Sequence, residues 1–343
     1  MANKLVYVGF GFRHHLGGHG GYHQIRNYLG YDYYIDAQSF HDKASKSSQI
    51  KLMDWMRTFV LPRFCFGFRA FPYFLIKCLW MAVTKGHLTF HFIYGENLYY
   101  DFRLLRVRGC KTVVTLHQPY EWFKDKPSWK RRLQHVDHVI LVGETEIALF
   151  KTLTGKDNVT FIPHGICADF YCPDVRMQKE KMVLTVGNWL RDFEFADKVY
   201  QQLLSDDPEV RIVIVSMPRN KSLITPHERI SFLSGISDEE LRDLYLKSSC
   251  LFLPLTRYTA NNALLEAGAV GCNILIACNQ PDNSYISTDL LRLMPMKEDT
   301  VAQEIKVMLK KGEMSCQLSD FVKKNFSWQR IAEATRNTLL MSK

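Results

Sequence analysis

The nine cysteines of this 343-residue chain include no CxxC pair, so the spacing of a zinc ribbon or a dithiol redox centre is missing. Several stand in apolar runs, as Cys250 does before Leu-Phe-Leu. An odd, scattered set of this kind reads as reduced thiols acting as small hydrophobes in a cytoplasmic protein. Residues 1–12 lack a signal-peptide layout, because Lys4 is followed by a strand-like run with no cleavage site. A long apolar run is missing from the best candidate span as well. Within residues 55–83, Arg57, Arg63, Arg69 and Lys77 interrupt the sequence and Pro62 and Pro72 break it. No uncharged stretch there exceeds seven residues, against the roughly 20 a spanning helix needs. Its mixture of aromatic and basic residues suits either an interfacial segment on an anionic leaflet or a core-facing helix pair.

Acidic residues are scarce in one half only. Residues 1–165 carry 22 Lys/Arg against 12 Asp/Glu, a net of +10, and the remainder carries 22 against 23, a net of −1. A basic half attracts phosphate, anionic lipid or nucleic acid, or is simply a solvated face. The basic residues are spread along the chain and no nucleic-acid motif occurs, which excludes that class of partner.

What is present is an alternation of short apolar runs and amphipathic stretches. Leu5–Phe10, Tyr31–Ile35, Thr89–Tyr94, Thr112–His117, His138–Gly143 and Asn158–Pro163 read as strands. Met182–Val186, Arg211–Val215, Ile230–Leu233, Cys250–Pro254 and Asn273–Ala277 repeat the pattern. Runs apolar at consecutive positions fit strands covered on both faces. Between them, Ala196, Val199, Tyr200, Leu203 and Leu204 keep helical spacing, and Ser237 with Glu240 forms a capping box. The class is therefore α/β, with two doubly wound parallel-sheet (Rossmann-like) domains. Predicted bounds are 1–172, 173–326, and a C-terminal helix from 327 to 343 packing at the domain junction.

The most informative segment is Ala260-Asn261-Asn262-Ala263-Leu264-Leu265-Glu266-Ala267-Gly268, which follows the run Cys250–Pro254. Asn262 is a candidate N-cap, Ala-Leu-Leu-Glu-Ala forms helix readily, and Gly271 stops it. A helix that starts at a strand's carboxyl end offers unpaired N–H groups, here predicted at Ala263 and Leu264, to a diphosphate. Glu266, one turn in, can accept from both hydroxyls of a ribose diol. A capped structural helix with a surface glutamate is the competing reading. In the glycine-rich segment 9–22, His14 occupies the third glycine position of a dinucleotide fingerprint, so that motif fails. His15, His19 and His23 are four apart, but the glycines among them oppose the helix a metal face would need. A flexible loop near phosphate and acceptor, with a helix starting near Tyr22, is the better expectation.

With Leu-Leu before it and Ala-x-Ala-x-Gly after it, Glu266 resembles the second half of the donor-site motif of retaining GT-B glycosyltransferases, glycosyltransferase family four. The resemblance continues at Gly17-Gly18 (an N-terminal glycine loop), Thr115-Leu116-His117 (a strand ending in histidine) and Ile162-Pro163-His164-Gly165 (the close of the first domain). It extends to Val186-Gly187 and to Phe232–Leu246, the stretch that holds the nucleobase. The resemblance implies two domains facing across a cleft. It implies transfer of a hexosyl group, with retention, from a nucleoside diphosphate sugar (UDP or GDP undecided) to a saccharide or lipid-linked acceptor. It implies no metal and no other cofactor. Gly18, Gly187, Asn188, Ser234, Ile236 and residues 258–264 (Tyr258, Thr259, Ala260, Asn261, Asn262, Ala263, Leu264) would meet the donor. His19, Tyr22, Glu96 and Glu121 would meet the acceptor, with Trp122 beside Glu121 suited to stacking on a sugar. His117, Arg191 and Glu266 would serve the reaction.

Two positions depart from the family pattern. The family's first glutamate is Tyr258 here, which puts the sugar's identity in question. The family's Gly-Arg is Gly187-Asn188, so Arg191 becomes the expected phosphate-binding cation. The implied setting is cell-surface polysaccharide or glycoconjugate synthesis on the cytosolic membrane face. A non-catalytic GT-B-like partner protein and a sugar-nucleotide epimerase are the alternatives.

Overall fold

The computed structural model describes residues 3–12, 18–36, 71–97, 102–257, 260–279 and 285–341. Contacts divide the chain into two compact units. One holds Met1–Arg13, Gly21–Pro163 and Ile331–Lys343; the other holds His14–Gly20 and His164–Arg330.

The first unit is built on strands β1 (Lys4–Gly9), β2 (Tyr33–Asp36), β3 (Leu88–Phe92), β4 (Lys111–Leu116), β5 (His138–Leu141) and β6 (Val159–Phe161). They form one sheet in the order β2-β1-β3-β4-β5-β6, parallel throughout. All five residues of β3 and five of the six of β4 are buried, as strands covered on both faces require. The helices are α1 (Phe71–Thr84), α2 (Tyr120–Lys124), α3 (Pro127–Leu133) and α4 (Ile147–Thr154). Of the expected segment 55–83, residues 55–70 lie outside the described residues. In α1, Phe74, Cys78, Met81 and Ala82 are buried while Ile76, Trp80 and Val83 face solvent. One helix thus carries an apolar core face and a second apolar face. No helix among the described residues is long and apolar enough to cross a membrane.

The second unit contains β7 (Glu180–Val186), β8 (Arg211–Val215), β9 (Ile230–Leu233), β10 (Ser248–Pro254), β11 (Ile274–Ala277) and β12 (Arg292–Met294). Their order is β12-β11-β10-β7-β8-β9, again all parallel. This is the doubly wound Rossmann order, whose direction of winding reverses between β7 and β10. Helices α5 (Phe193–Asp206), α6 (Asp238–Lys247), α7 (Asn262–Ala269), α8 (Glu298–Lys311) and α9 (Cys316–Phe326) flank it. One core joins Phe193, Val199, Tyr200 and Leu203 of α5 to Val301 and Ile305 of α8 over Ile212, Ile214 and Phe252 of the sheet. Asp192 caps α5 by accepting from Phe195 N at 2.9 Å, a contact worth about 1 kcal/mol. The Ser237–Glu240 capping box is present at α6.

The last helix is α10 (Trp328–Met341), inside the segment 327–343. Strand β12 and helices α8 and α9 of the second unit were not foreseen. Strand β12 has three residues at a sheet edge, and α9 is mostly polar, with Leu318, Val322 and Phe326 as its inward stripe.

Candidate functional site

In open α/β sheets, ligands bind beyond the carboxyl ends of the strands where the winding reverses. In the second unit that point lies between the segment after β7 and the segment after β10, which pair through an antiparallel bridge from Arg191 to Leu255. Gly187 has φ +111°, and a side chain there would place its Cβ 2.7 Å from Arg191 Nη2. Glycine therefore lets the guanidinium fold back under the strand. Leu190, at φ +57°, completes the reversal.

Arg191 donates from Nε (3.1 Å) and Nη2 (2.8 Å) to Val186 O, from Nη1 (3.0 Å) to Trp189 O, and from Nη2 (3.2 Å) to Asn261 Oδ1. No carboxylate among the described residues pairs with it. Burial lowers its pKa to about 10, so it is charged at neutral pH. A half-buried cation without a counter-charge is well placed to receive an anion.

Asn261 supplies the next donor. Contrary to the expectation for Asn262, Asn261 is the N-cap of α7. It has an extended backbone, and its Oδ1 accepts from Leu264 N at 3.3 Å. Asn262 is the first helical residue. The cap takes the Leu264 N–H that was expected to be free, so the open helix amides are Asn262 and Ala263. Asn261 Nδ2 is buried with no hydrogen-bond partner among the described residues. Arg191, Asn261 Nδ2 and the two amides thus gather at one helix end, an arrangement suited to oxyanions. Ala260 is half-buried beside them. Tyr258 and Thr259 lie outside the described residues.

Glu266, one turn into α7, is buried rather than on the surface, and its Oε2 accepts from the Tyr245 hydroxyl at 2.8 Å. Burial raises its pKa to about 7; the Tyr245 bond opposes this and Asp238 adds to it. Asn188 is structural in this geometry. Its Oδ1 accepts from Ser216 Oγ at 2.8 Å and from Met217 N, tying the ends of β7 and β8 together. Ser234 is exposed and Ile236 half-buried in the turn before α6; no side-chain hydrogen bond ties Ser234 to the groups above. Gly18 is exposed at φ +102°. The adjoining His19 belongs with this unit. Its N donates to Asp238 Oδ2 at 3.0 Å, and its ring stacks on Phe170 at 3.6 Å. Gly18 and Gly21 both have positive φ, so no helix runs through this segment to align His19 with His23. His15 is outside the described residues.

In the first unit, His117 follows β4 directly. Its Nδ1 lies 3.3 Å from Glu96 Oε1, which also accepts from His117 N at 3.3 Å. The imidazole is edge-on to Tyr22 at 4.7 Å and tilted against Tyr94 at 4.8 Å. Tyr22 begins a short 3-10 helix (Tyr22–Asn27) and is fully buried, its phenol pushed up to about 12 by burial. It therefore backs the His117 ring. Beneath this group, buried His91 bridges Tyr31 Oη at 2.6 Å and Thr115 Oγ1 at 2.8 Å. Burial lowers its pKa to about 3, so it is neutral. Nothing in the local sequence around His91 signalled this bridge, because its partners come from two other segments. Glu121 stands in the first turn of α2, four positions after His117. One face of the half-buried Trp122 is covered, with Lys126 Nζ 3.1 Å above it and Phe123 and Trp129 in edge contact.

No protein-family model matches the chain, and no curated protein matches it. Solved structures do. HepE from Anabaena, in complex with UDP and glucose, superposes with a TM-score of 0.66 at 13% identity over 98% of this chain and 99% of that one. A glycosyltransferase from Rickettsia africae gives 0.65 at 11% identity over the full length of both chains. Sucrose-phosphate synthase from Thermosynechococcus elongatus gives 0.62 at 16% identity over 78% of this chain and 76% of the other. The chain has the GT-B fold. In GT-B terms, the Arg191–Asn261–Glu266 group lies on the second Rossmann-like unit and the His117–Glu96 pair on the first.

Proposed function

We propose that this GT-B protein is a retaining, metal-independent glycosyltransferase. It would move a hexosyl group from a nucleoside diphosphate sugar to a saccharide or lipid-linked acceptor in cell-surface polysaccharide or glycoconjugate synthesis. The observation that carries this reading is the half-buried guanidinium of Arg191. Among the described residues it has no carboxylate partner, and it converges with an unpaired Asn261 amide on the open end of α7, one turn from Glu266. That arrangement suits a diphosphate followed by a ribose. The likeness to a HepE structure holding UDP and glucose supports the same reading, and the motif around Glu266 supports retention.

In the proposed reaction, the bond between the sugar's anomeric carbon and the diphosphate oxygen breaks, and the electron pair leaves with the diphosphate. Arg191 and the α7 amides stabilise the charge that develops there. The acceptor oxygen bonds to the anomeric carbon on the face the phosphate leaves, and its proton passes to a phosphate oxygen. His117, braced by Glu96, would serve the sugar side.

Thermal unfolding with UDP and with GDP, followed by transfer of radiolabelled sugar, tests the proposal. One nucleotide should raise the midpoint of the wild type. Glu266→Ala should weaken that nucleotide about 10–100-fold, through loss of charge-assisted hydrogen bonds, while remaining folded. A wild type indifferent to both nucleotides would sink the reading. Sugar turnover without any acceptor would instead reveal an epimerase.

We further propose that the enzyme works on an anionic membrane face, here the cytosolic one. Ile76, Trp80 and Val83, exposed by 65, 60 and 57%, form an i, i+4, i+7 stripe on α1. Lys85 follows the helix, and Arg108 bonds the carbonyl of Val83. Exposed apolar groups beside cations suit the headgroup layer. Co-sedimentation with phosphatidylglycerol vesicles should exceed that with phosphatidylcholine. It should fall at high salt and drop several-fold in Trp80→Glu. Equal recovery with both lipids would count against the membrane site.

A further inference from the structure

The Glu266 carboxylate is not held by its own helix. Its Oε2 accepts from the hydroxyl of Tyr245, which lies 21 positions earlier, near the end of α6. Both side chains are buried. The ring of Tyr171 stands edge-on to Tyr245 at 6.4 Å, and Lys179 Nζ donates to the Tyr245 carbonyl at 3.3 Å. Tyr245 is thus packed and tethered on two sides, while Glu266 Oε1 has no hydrogen-bond partner among the described residues. Tyr245 also lies within electrostatic range of Arg191. A single phenol therefore borders both groups assigned to the nucleotide.

We infer that Tyr245 is a positioning residue for the ribose of a bound nucleotide: its hydroxyl holds the Glu266 carboxylate in one orientation and leaves Oε1 to accept from the diol. The inference rests on the donor-site reading above. Two consequences of the geometry support it. A carboxylate free to rotate in a buried site would present its lone pairs to the diol in only some of its orientations, and the Tyr245 bond removes that freedom. The bond also favours the ionised form, which alone accepts from both ribose hydroxyls. Burial and the Asp238 carboxylate act the other way and bring the group to about pH 7. The ionisable groups around Glu266 are Tyr245 and Asp238 of α6 and Tyr171 from the segment before β7. The pKa values of both tyrosines are raised above the ordinary phenol range, so both are neutral here. Without the Tyr245 hydroxyl, the balance at Glu266 moves towards the protonated acid, so its titration moves to higher pH.

The test is calorimetric titration of the full chain with UDP, GDP and their 2′,3′-dideoxy counterparts between pH 6 and 9. For the wild type, affinity for the preferred nucleotide should fall as pH drops through about 7, and affinity for its dideoxy form should stay flat. In Tyr245→Phe, the fall should begin at higher pH, with affinity at pH 7 down about 10-fold. The dideoxy nucleotide should bind the variant as it binds the wild type, which also shows that the variant is folded. Adding Tyr245→Phe to Glu266→Gln should cost nothing further, because the coupling partner is gone. An unmoved pH profile, or equal losses for ribose and dideoxy forms, overturns the role of Tyr245 and leaves the donor site standing. A wild type that binds no nucleotide at all removes the donor-site reading and this inference together.

Discussion

Replacing Arg191 with Met should lower kcat/KM for sugar transfer by about 10²–10³-fold, the usual loss when one preorganised donor is withdrawn from a developing anion. Met keeps the length of the stem and removes the charge. The variant should also melt earlier, since Val186 O and Trp189 O lose their donors. Val186 is buried and Trp189 exposed, so the cost falls mainly on Val186 O, and a buried acceptor left unpaired costs about 1–3 kcal/mol. Arg191→Lys separates the two effects. An ammonium restores charge but cannot span Val186 O, Trp189 O and Asn261 Oδ1 at once, because it lacks the planar fork. It should recover part of the turnover and little of the melting temperature. Steady-state kinetics with a saturating acceptor and a donor series reads the first quantity, and calorimetry reads the second. A Met variant within threefold of wild-type turnover would remove Arg191 from the reaction.

Trp328→Ala should produce the largest loss of stability. The indole is 1% exposed and opens α10 within the second unit. A Cβ on Gly165 would come within 2.3 Å of it, so the chain passes directly against the ring. The His164 ring lies 5.2 Å away, and Trp328 N donates to Ile166 O at 3.2 Å. Truncating a buried Trp in such packing costs about 3–5 kcal/mol. Urea unfolding followed by far-UV circular dichroism should show the midpoint of the second unit falling, with the first unit's transition in place. Trp328→Phe should recover about half of the loss. An alanine variant with an unchanged midpoint would show that the packing around Gly165 carries little energy.

The strands were legible because parallel sheets buried on both faces write themselves as continuous apolar runs. Arg211–Val215 and Ile230–Leu233 match their expected bounds residue for residue. Strand β12 was not legible, because three residues at an edge carry neither length nor burial. At the site, the residue types were readable and their bonding was not. Asn261 and Asn262 are equally good caps by composition, and the choice between them is made by the backbone, extended at Asn261. The fold-back of Arg191 depends on positive φ at Gly187 and Leu190. The Tyr245–Glu266 and His117–Glu96 pairs each join residues 21 positions apart on different elements. No local pattern announces a contact of that kind.

Strands β7 and β10 are neighbours in the sheet although α5, β8, β9 and α6 intervene in the chain. Mechanically, the guanidinium and the helix end are therefore two fittings on one stiff plate. Pulling them apart would require shearing a hydrogen-bonded ladder at the centre of the sheet, whereas the turns at the plate's outer edges flex at low cost. The ladder therefore ties the spacing of Arg191, Asn261 and Glu266 to the backbone of the sheet.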